Sequence, residues 1–187
     1  VGNISVESLE YSLRTANQLW ILADSTRKLT SLHYDMICNF FNKGRGLYLI
    51  TDNTPFVADV NDIASRLFGV TLSGDYLGKQ VIGVTNSPLN PGILSNHLLS
   101  TGIQNFYEGV TIAHINNINN NVRPLVYSSD RNVLSVTYEQ NYKRALIDGG
   151  FTRLYVDWDS AGTERYVKNI KKQCYVALCC NVFILWF

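Results

Sequence analysis

One apolar run, Gly46–Ile50, constrains the fold of this chain more than any other stretch. Its residues, Gly-Leu-Tyr-Leu-Ile, show no alternation of apolar and polar side chains. An unbroken apolar strand is typical of a parallel sheet that helices cover on both faces. Polar residues follow at once, at positions 51–55, where such a sheet keeps its ligand crevice, beyond the carboxyl ends of the strands. The pattern predicts an α/β protein with a polar edge after this strand.

A helix is predicted on each side of this strand. Before it, apolar residues recur at helical spacing over positions 32–41, with Thr30 or Ser31 as the N-cap and Gly44 as the stop. After it, Asp59 is predicted to be the N-cap of a second helix, which ends at Gly69. A second buried strand is predicted at residues 18–23. We expect the two strands to be parallel neighbours, so that the residues after them meet at one edge.

The remaining residues predict a three-layer α/β sandwich with a mostly parallel, flavodoxin-like sheet and an antiparallel hairpin late in the chain. Strands are predicted at 110–113, 124–127, 133–138 and 144–148, and between positions 70 and 85, where residues 73–75 and Gly78 interrupt them. Alternation in the run 133–138 indicates an antiparallel or half-exposed strand, joined to the last by a hairpin. Loops are predicted at 86–96 and 116–121. Residues 7–18 are predicted to form a short helix or a loop, and residues 161–170 a closing helix.

Composition excludes some functions. The 187 residues carry a formal net charge of +1, and 17% of them are charged. Nucleic-acid binding is disfavoured, because it requires an excess of positive charge. The first residues lack an initiator Met, a basic segment and an apolar segment, so they do not predict a signal peptide, and the chain reads as a fragment.

The cysteines and histidines do not predict a metal site. Cys38 stands apart, three further cysteines fall at 174–180, and the three histidines are scattered. No Cys-x-x-Cys pair exists, so zinc-type spacing is absent. Free thiols in a reducing compartment, the cytoplasm, are expected. We predict neither a metal nor a cofactor from these residues.

The carboxyl terminus is unusually apolar. Residues 174–187 span fourteen positions, short of the roughly 20 that a membrane-crossing helix needs, so no transmembrane span is predicted. The segment could be a core element, an interface through which the chain docks, or the product of a misplaced reading frame. These alternatives stay open at the level of sequence.

Four stretches together resemble a known family. They are residues 19–30, with a strand, an Asp and a helix start; 40–50, with a helix end, glycines and an apolar strand; 97–103, His-Leu-Leu-Ser-Thr-Gly-Ile; and 143–152, a late strand and loop. In this order they are similar to the class I glutamine amidotransferase-like superfamily, in its non-amidotransferase branch. That branch includes trehalose-utilisation-like domains and the domains of gliding and intraflagellar-transport proteins.

The resemblance implies a domain at residues 18–170, with an N-terminal lead-in at 1–17 and an apolar tail at 171–187. The family's first strand should lie upstream of Gln18, where little can supply it, so the lead-in is expected to be truncated. A working glutaminase carries a cysteine on the turn after the central strand, where a helix N-terminus activates it. Here the turn reads Thr-Asp-Asn-Thr-Pro, and no late His-x-Glu occurs. Glutamine hydrolysis is therefore disfavoured.

The candidate ligand-binding residues follow the two predicted parallel strands. They are Asp24, Asp52, Asn53, Asp59 and Asn61. Together they would form a small polar pocket or an oxygen-rich site for a hard cation such as Mg²⁺ or Ca²⁺. Capping and turn formation explain Asp59, Asp52 and Asn53 equally well.

His97 is the sixth candidate. It would be a general base if a nucleophile lay near it, and otherwise a histidine hydrogen-bonded to the backbone. Asp148 also ends a predicted strand, and Gly149 and Gly150 after it indicate a tight turn. No residue is assigned a catalytic role.

We expect a non-catalytic ligand- or protein-binding domain that forms part of a larger protein. Its partner is an unknown small molecule or protein. One alternative is a hydrolase or carbohydrate-processing enzyme that uses Asp24, Asp52 and His97. Another is a structural subunit that docks through residues 174–187.

Overall fold

Three neighbouring parallel strands lie on one side of the main sheet. The computed structural model describes residues 4–156, 158, 161–173 and 181–186. Strand β1, Gln18–Leu22, pairs in parallel with β2, Gly46–Ile50, so that Leu19 lies beside Leu47 and Leu22 beside Ile50. Strand β10, Lys143–Asp148, flanks β2 on its other side, also in parallel. The expected parallel neighbourhood of β1 and β2 is confirmed.

Among the described residues, the strands form one sheet of nine and one of two. The helices are α1 (Val6–Thr15), α2 (Ser31–Asn42), α3 (Ala58–Phe68) and α4 (Thr163–Gln173), with 3-10 turns at Leu98–Ser100 and Phe151–Leu154. The other strands are β3 (Thr71–Leu77), β4 (Val81–Thr85), β5 (Gly92–Leu94), β6 (Asn105–Tyr107), β7 (Thr111–Asn116), β8 (Arg123–Tyr127), β9 (Val133–Gln140) and β11 (Val182–Trp186). The large sheet has the order β11-β1-β2-β10-β9-β8-β5-β4-β6, and β3 pairs with β7 in the small one.

Antiparallel pairing extends further than one late hairpin. The strands from β11 to β10 are parallel, whereas the pairs β10–β9, β9–β8, β8–β5 and β4–β6 are antiparallel. In this second half of the sheet, β4 and β5 pair in parallel. The predicted β9–β10 hairpin is confirmed. Its turn is only Asn141 and Tyr142, which both have positive φ, as a two-residue hairpin of type I′ requires. The mixed α/β class is therefore confirmed, with the parallel strands β11, β1, β2 and β10 in one half of the large sheet.

The apolar carboxyl terminus supplies an edge strand. Strand β11 pairs in parallel with β1, with Trp20 beside Ile184 and Leu22 beside Trp186. The family resemblance predicts a further strand upstream of Gln18. In the structure, the strand beside β1 is instead β11, from the carboxyl-terminal end of the chain. Of the predicted docking segment 174–187, residues 182–186 thus lie in the chain's own sheet, and residues 174–180 and 187 lie outside the described residues.

The large sheet buries a separate hydrophobic cluster on each face. Alternate residues of a strand point to opposite faces, so Leu19 and Ile21 join one cluster and Trp20 and Leu22 the other. The first cluster also holds apolar residues of α1, α2 and α3, and the second holds Tyr166 and Ile170 of α4. Helices therefore cover both faces, which explains why the strands read as unbroken apolar runs.

The helix ends confirm most of the predicted signals and correct one. Helix α2 begins after Thr30, and Gly44 (φ 81°) and Gly69 (φ 72°) adopt the left-handed conformation beyond α2 and at the end of α3. Helix α3, however, has Val57 at its N-cap position, so the prediction of Asp59 as N-cap is wrong. Asp59 is fully buried in the first turn and caps a different segment.

Two smaller predictions also need correction. The loop predicted at 86–96 contains β5, which pairs with both β4 and β8. Ser73–Asp75, predicted to interrupt a strand, lies inside β3, where the pairing register with β7 shifts between Ser73 and Tyr76. A bulge of this kind keeps the strand continuous while it bends. Among the described residues, no helix combines the length and apolar character needed to cross a membrane.

Candidate functional site

Asp24 and Asp59 organise the loop between β1 and α2. Asp24 accepts a hydrogen bond of 2.6 Å from the Ser25 backbone N–H, which lowers the pKa of the Asp24 carboxyl, and its other oxygen lies 3.5 Å from Lys28 Nζ. Asp59 accepts hydrogen bonds from the backbone N–H groups of Lys28 (2.8 Å) and Leu29 (3.2 Å) and from Tyr34 Oη (2.7 Å). Asp59 therefore joins α3 to the start of α2, which explains an acid in a fully buried position.

Asp52 and Asn53 form the turn after β2. Asp52 Oδ1 accepts from the Asn53 backbone N–H (2.9 Å) and from Thr111 Oγ1 (3.1 Å), and burial raises the pKa of this carboxyl. Asn53 Nδ2 donates to Asp75 Oδ1 (2.8 Å) and to the Thr54 carbonyl (3.2 Å). The two side chains thus connect the turn to β7 and β3, as turn chemistry predicted.

Asn61 pairs with the backbone of β3. Its Nδ2 donates to the Leu72 carbonyl (2.8 Å), and its Oδ1 accepts from the Leu72 N–H (2.6 Å). The side chain therefore imitates a neighbouring strand, and both its polar ends are occupied.

His97 lies elsewhere, where the first 3-10 turn meets β9. Its Nδ1 accepts from the Leu99 backbone N–H (3.1 Å), and its Nε2 lies 3.4 Å from Glu139 Oε1. Burial lowers the pKa of His97, and the Glu139 carboxylate partly offsets this effect. The predicted hydrogen bond between His97 and the backbone is therefore present, and a functional role for His97 stays a prediction.

The six residues do not form one hydrogen-bonded site in the described structure. Asp24 and Asp59 share Lys28, Asp52 and Asn53 share one turn, and Asn61 and His97 each belong to another network. The hydrolase alternative required Asp24, Asp52 and His97 to converge, and their networks do not connect them. In the described part of the chain, no three His, Cys, Asp or Glu side chains are placed to hold a metal ion. A ligand-binding role for the six residues stays a prediction.

A buried ion pair fills the edge beyond β10. Asp148 and Arg153 are both fully buried, and Arg153 Nη1 lies 2.5 Å from each carboxylate oxygen of Asp148. The remaining guanidinium nitrogens donate to backbone carbonyls, Nε to Tyr107 (2.9 Å) and Nη2 to Glu108 (2.8 Å). The guanidinium also lies over the Phe106 ring, 4.6 Å from its centroid. All three guanidinium nitrogens are therefore hydrogen-bonded within the protein.

The surroundings of the pair complete the network. Asp148 also accepts from Tyr48 Oη (3.1 Å) and from the Gly150 backbone N–H (3.2 Å). Burial raises the pKa values of the Tyr48 and Tyr166 phenols well above their usual range. A Cβ on Gly150 would lie 2.1 Å from Arg153 Nη2, so this glycine is required for close approach rather than for a positive φ.

Sequence reasoning missed Arg153. The available signal was Asp148, an acid that ends a buried apolar strand and therefore needs a cation or several donors nearby. An arginine five residues later satisfies that requirement, but its position in the core depends on the 3-10 turn at Phe151–Leu154.

Comparisons with known proteins agree on the fold alone. No family model matches the chain, and no curated protein matches it. Nine chains of solved structures do, among them the mmIFT52 N-terminal domain, with a TM-score of 0.67 and 13% sequence identity. The match covers 94% of this chain and 82% of that one. At this identity the similarity shows a shared fold.

Proposed function

We propose that the chain is a non-catalytic protein-binding domain of intraflagellar-transport type and one part of a larger protein. The observation that carries this proposal is the filled edge of the sheet beyond β2 and β10. Thr51, Asp148 and Arg153 are all buried there. Backbone hydrogen bonds also close this edge: the Thr51 N–H donates to the Asp148 carbonyl, and the Phe151 N–H donates to the Thr51 carbonyl. An α/β enzyme needs an open crevice at this edge to admit its substrate.

Two further observations support the proposal. The mmIFT52 N-terminal domain, which by its name belongs to an intraflagellar-transport protein, shares the fold over nearly the whole chain. The turn after β2 carries no cysteine or serine nucleophile. We also infer a place in the glutamine amidotransferase-like superfamily, supported by the parallel β1–β2 pair and the helix-strand-helix order around it. The proposal implies residence in the cytoplasm or the flagellum.

The test is the assembly state of the protein in its own cells. We expect the chain, tagged and expressed in the cells that encode it, to co-purify with intraflagellar-transport proteins and to elute as a large complex. A tagged α/β domain of similar size from an unrelated enzyme is the control. Elution as a free monomer with none of these proteins would overturn the proposal.

A parallel assay addresses catalysis. We expect no turnover of glutamine, of nitrophenyl esters or of nitrophenyl glycosides by the purified chain. The matched variant carries Asp52→Ala and Asn53→Ala. Turnover that this variant loses while its fold, checked by circular dichroism, is retained would establish the enzymatic alternative.

A further inference from the structure

A groove between α1 and α2 combines an apolar base with a basic border. Its volume is about 440 Å³, and it includes Leu13, Met36 and Phe40 together with the cations Arg14, Lys43 and Arg45. Phe40 is buried and Leu13 and Met36 are half-buried, whereas Arg14 and Lys43 are exposed. We call these six residues the basic groove.

The charge of the basic groove is not balanced within the described structure. The one carboxylate that borders these six residues is Glu10, whose Oε1 lies 3.2 Å from Arg14 Nη2 in an exposed pair, which contributes little to stability. Arg45 Nη1 donates to the neutral side-chain amide of Asn17, and Lys43 makes no ion pair with any residue that the structure describes. Three cations therefore face one carboxylate.

Helix stabilisation explains only part of this arrangement. Arg14 lies in the last turn of α1 and Lys43 caps the end of α2, where cations favour the negative ends of the helix dipoles. Arg45 lies beyond the helix, next to β2, so this argument does not apply to it. Each helix end carries only about half a unit of negative charge, which leaves the basic groove positive.

Building on the proposed function, we propose that the basic groove binds an acidic, amphipathic helical segment of a partner protein. The apolar side chains of such a segment would cover the half-buried Leu13 and Met36, which line the groove together with the buried Phe40. Its carboxylates would pair with Lys43 and Arg45, whose positive charge the described chain leaves uncompensated. A helix laid in a groove offers apolar anchors on one side and charges on the other, which matches this combination of surfaces.

The experiment measures binding of a synthetic probe by fluorescence anisotropy. The probe is a fluorescein-labelled helical peptide with Leu at i, i+3, i+4 and i+7 and Glu at the other positions. We expect saturable binding to the whole chain that weakens when salt rises from about 50 to about 300 mM, because screening acts on exposed charges. Peptides with Lys in place of Glu, or with Ser in place of Leu, should bind at least about tenfold more weakly.

Matched variants locate the site. Lys43→Glu with Arg45→Glu should reduce affinity for the Leu/Glu peptide at least about tenfold. Arg165→Glu with Lys168→Glu makes the same change in net charge on the exposed side of α4 and should leave affinity unchanged. If Lys43→Glu with Arg45→Glu fails to fold, as judged by circular dichroism, Lys43→Gln with Arg45→Gln provides the same test. Equal losses in the groove and α4 variants would overturn the proposal.

Other outcomes also decide it. Equal binding of the Ser-substituted peptide would show charge attraction alone and overturn the amphipathic assignment. Binding to vesicles containing phosphatidylserine that the groove variant loses, with no peptide binding, would assign the groove to a membrane surface instead. If the groove variant still co-purifies with intraflagellar-transport proteins as the unmodified chain does, this inference fails and the proposed function stands.

Discussion

Most acidic and amide side chains that follow the strands hold backbone in place. Asp59 serves two N–H groups and one hydroxyl, Asn61 pairs with both polar groups of Leu72, and Asp52 closes its own turn. Buried polar groups need such partners because leaving one unpaired costs about 1–3 kcal/mol. The same residue types would be free to bind a ligand if these backbone groups were not near them. The sequence therefore predicts both a structural role and a ligand-binding role for them.

Replacement of Asp59 by Ala should therefore be costly. The change leaves the Lys28 and Leu29 N–H groups and the Tyr34 hydroxyl without their acceptor, so we expect a loss of about 2 kcal/mol or more in the free energy of unfolding. Asp35→Ala, which removes an exposed pair with Arg66, should change it by less than about 1 kcal/mol. Urea denaturation measures both, and equal effects would contradict the assigned role of Asp59.

Arg153 permits a second test at this scale. Arg153→Met keeps much of the side-chain volume but leaves the Asp148 carboxylate buried without its cation, so we expect a loss of about 3–5 kcal/mol. Arg165→Met on the exposed side of α4 should alter stability by no more than about 0.5 kcal/mol. A stable Arg153→Met protein with unchanged urea midpoint would show that the pair does not hold this edge together.

At the scale of elements, β11 determines how the sheet ends. It covers the outer edge of β1 and inserts Leu185 into the cluster that holds α1, α2 and α3. Its other edge pairs with no strand that the structure describes. Ile184 and Trp186, which alternate with Leu185 and so lie on the opposite face, are more than half exposed. One face of this strand is therefore buried in the core at Leu185, while the other is more exposed and packs mainly through Val182 and a ring contact between Trp186 and Phe151.

This asymmetry predicts different effects of neighbouring substitutions. Leu185→Ala should lower stability by about 2–5 kcal/mol and accelerate hydrogen exchange in β1, because Leu185 is 5% exposed. Ile184→Ala, at a position that is 51% exposed, should cost less than about 1 kcal/mol and leave exchange in β1 unchanged. The opposite ranking would show that β11 packs through its other face.

At the scale of the whole molecule, stability should depend on two histidines in different parts of the fold. Burial lowers the pKa of His97 despite Glu139 and that of His114 despite Asp130. Both groups accept protons more readily in the unfolded chain, where the pKa is about 6.5. Their contribution is therefore fully present above about pH 6.5 and is lost as the pH falls through the lowered values in the folded protein.

We thus expect the urea midpoint to decrease as the pH falls from about 7.5 to about 5. The slope of the free energy of unfolding against pH reflects the extra protons that the unfolded chain binds, up to about one for each histidine. His97→Asn keeps an acceptor for the Leu99 N–H, as the histidine Nδ1 does, and His114→Gln removes the second group. The double variant should show a flatter pH dependence over this range, whatever its absolute stability. An unchanged slope would mean that carboxylates rather than these histidines govern acid unfolding.

The sequence by itself determined several local elements and the parallel pair β1–β2. Helical spacing and glycine stops located α2 and the end of α3, and unbroken apolar runs located β1 and β2, because these signals arise from neighbouring residues. Only the tertiary structure decided that β11 pairs with β1, that Arg153 reaches Asp148 and that the six candidate residues serve separate networks. Those outcomes depend on which distant segments meet. Periodicity along a chain shows which face of a helix or strand is buried, but not which segment covers that face.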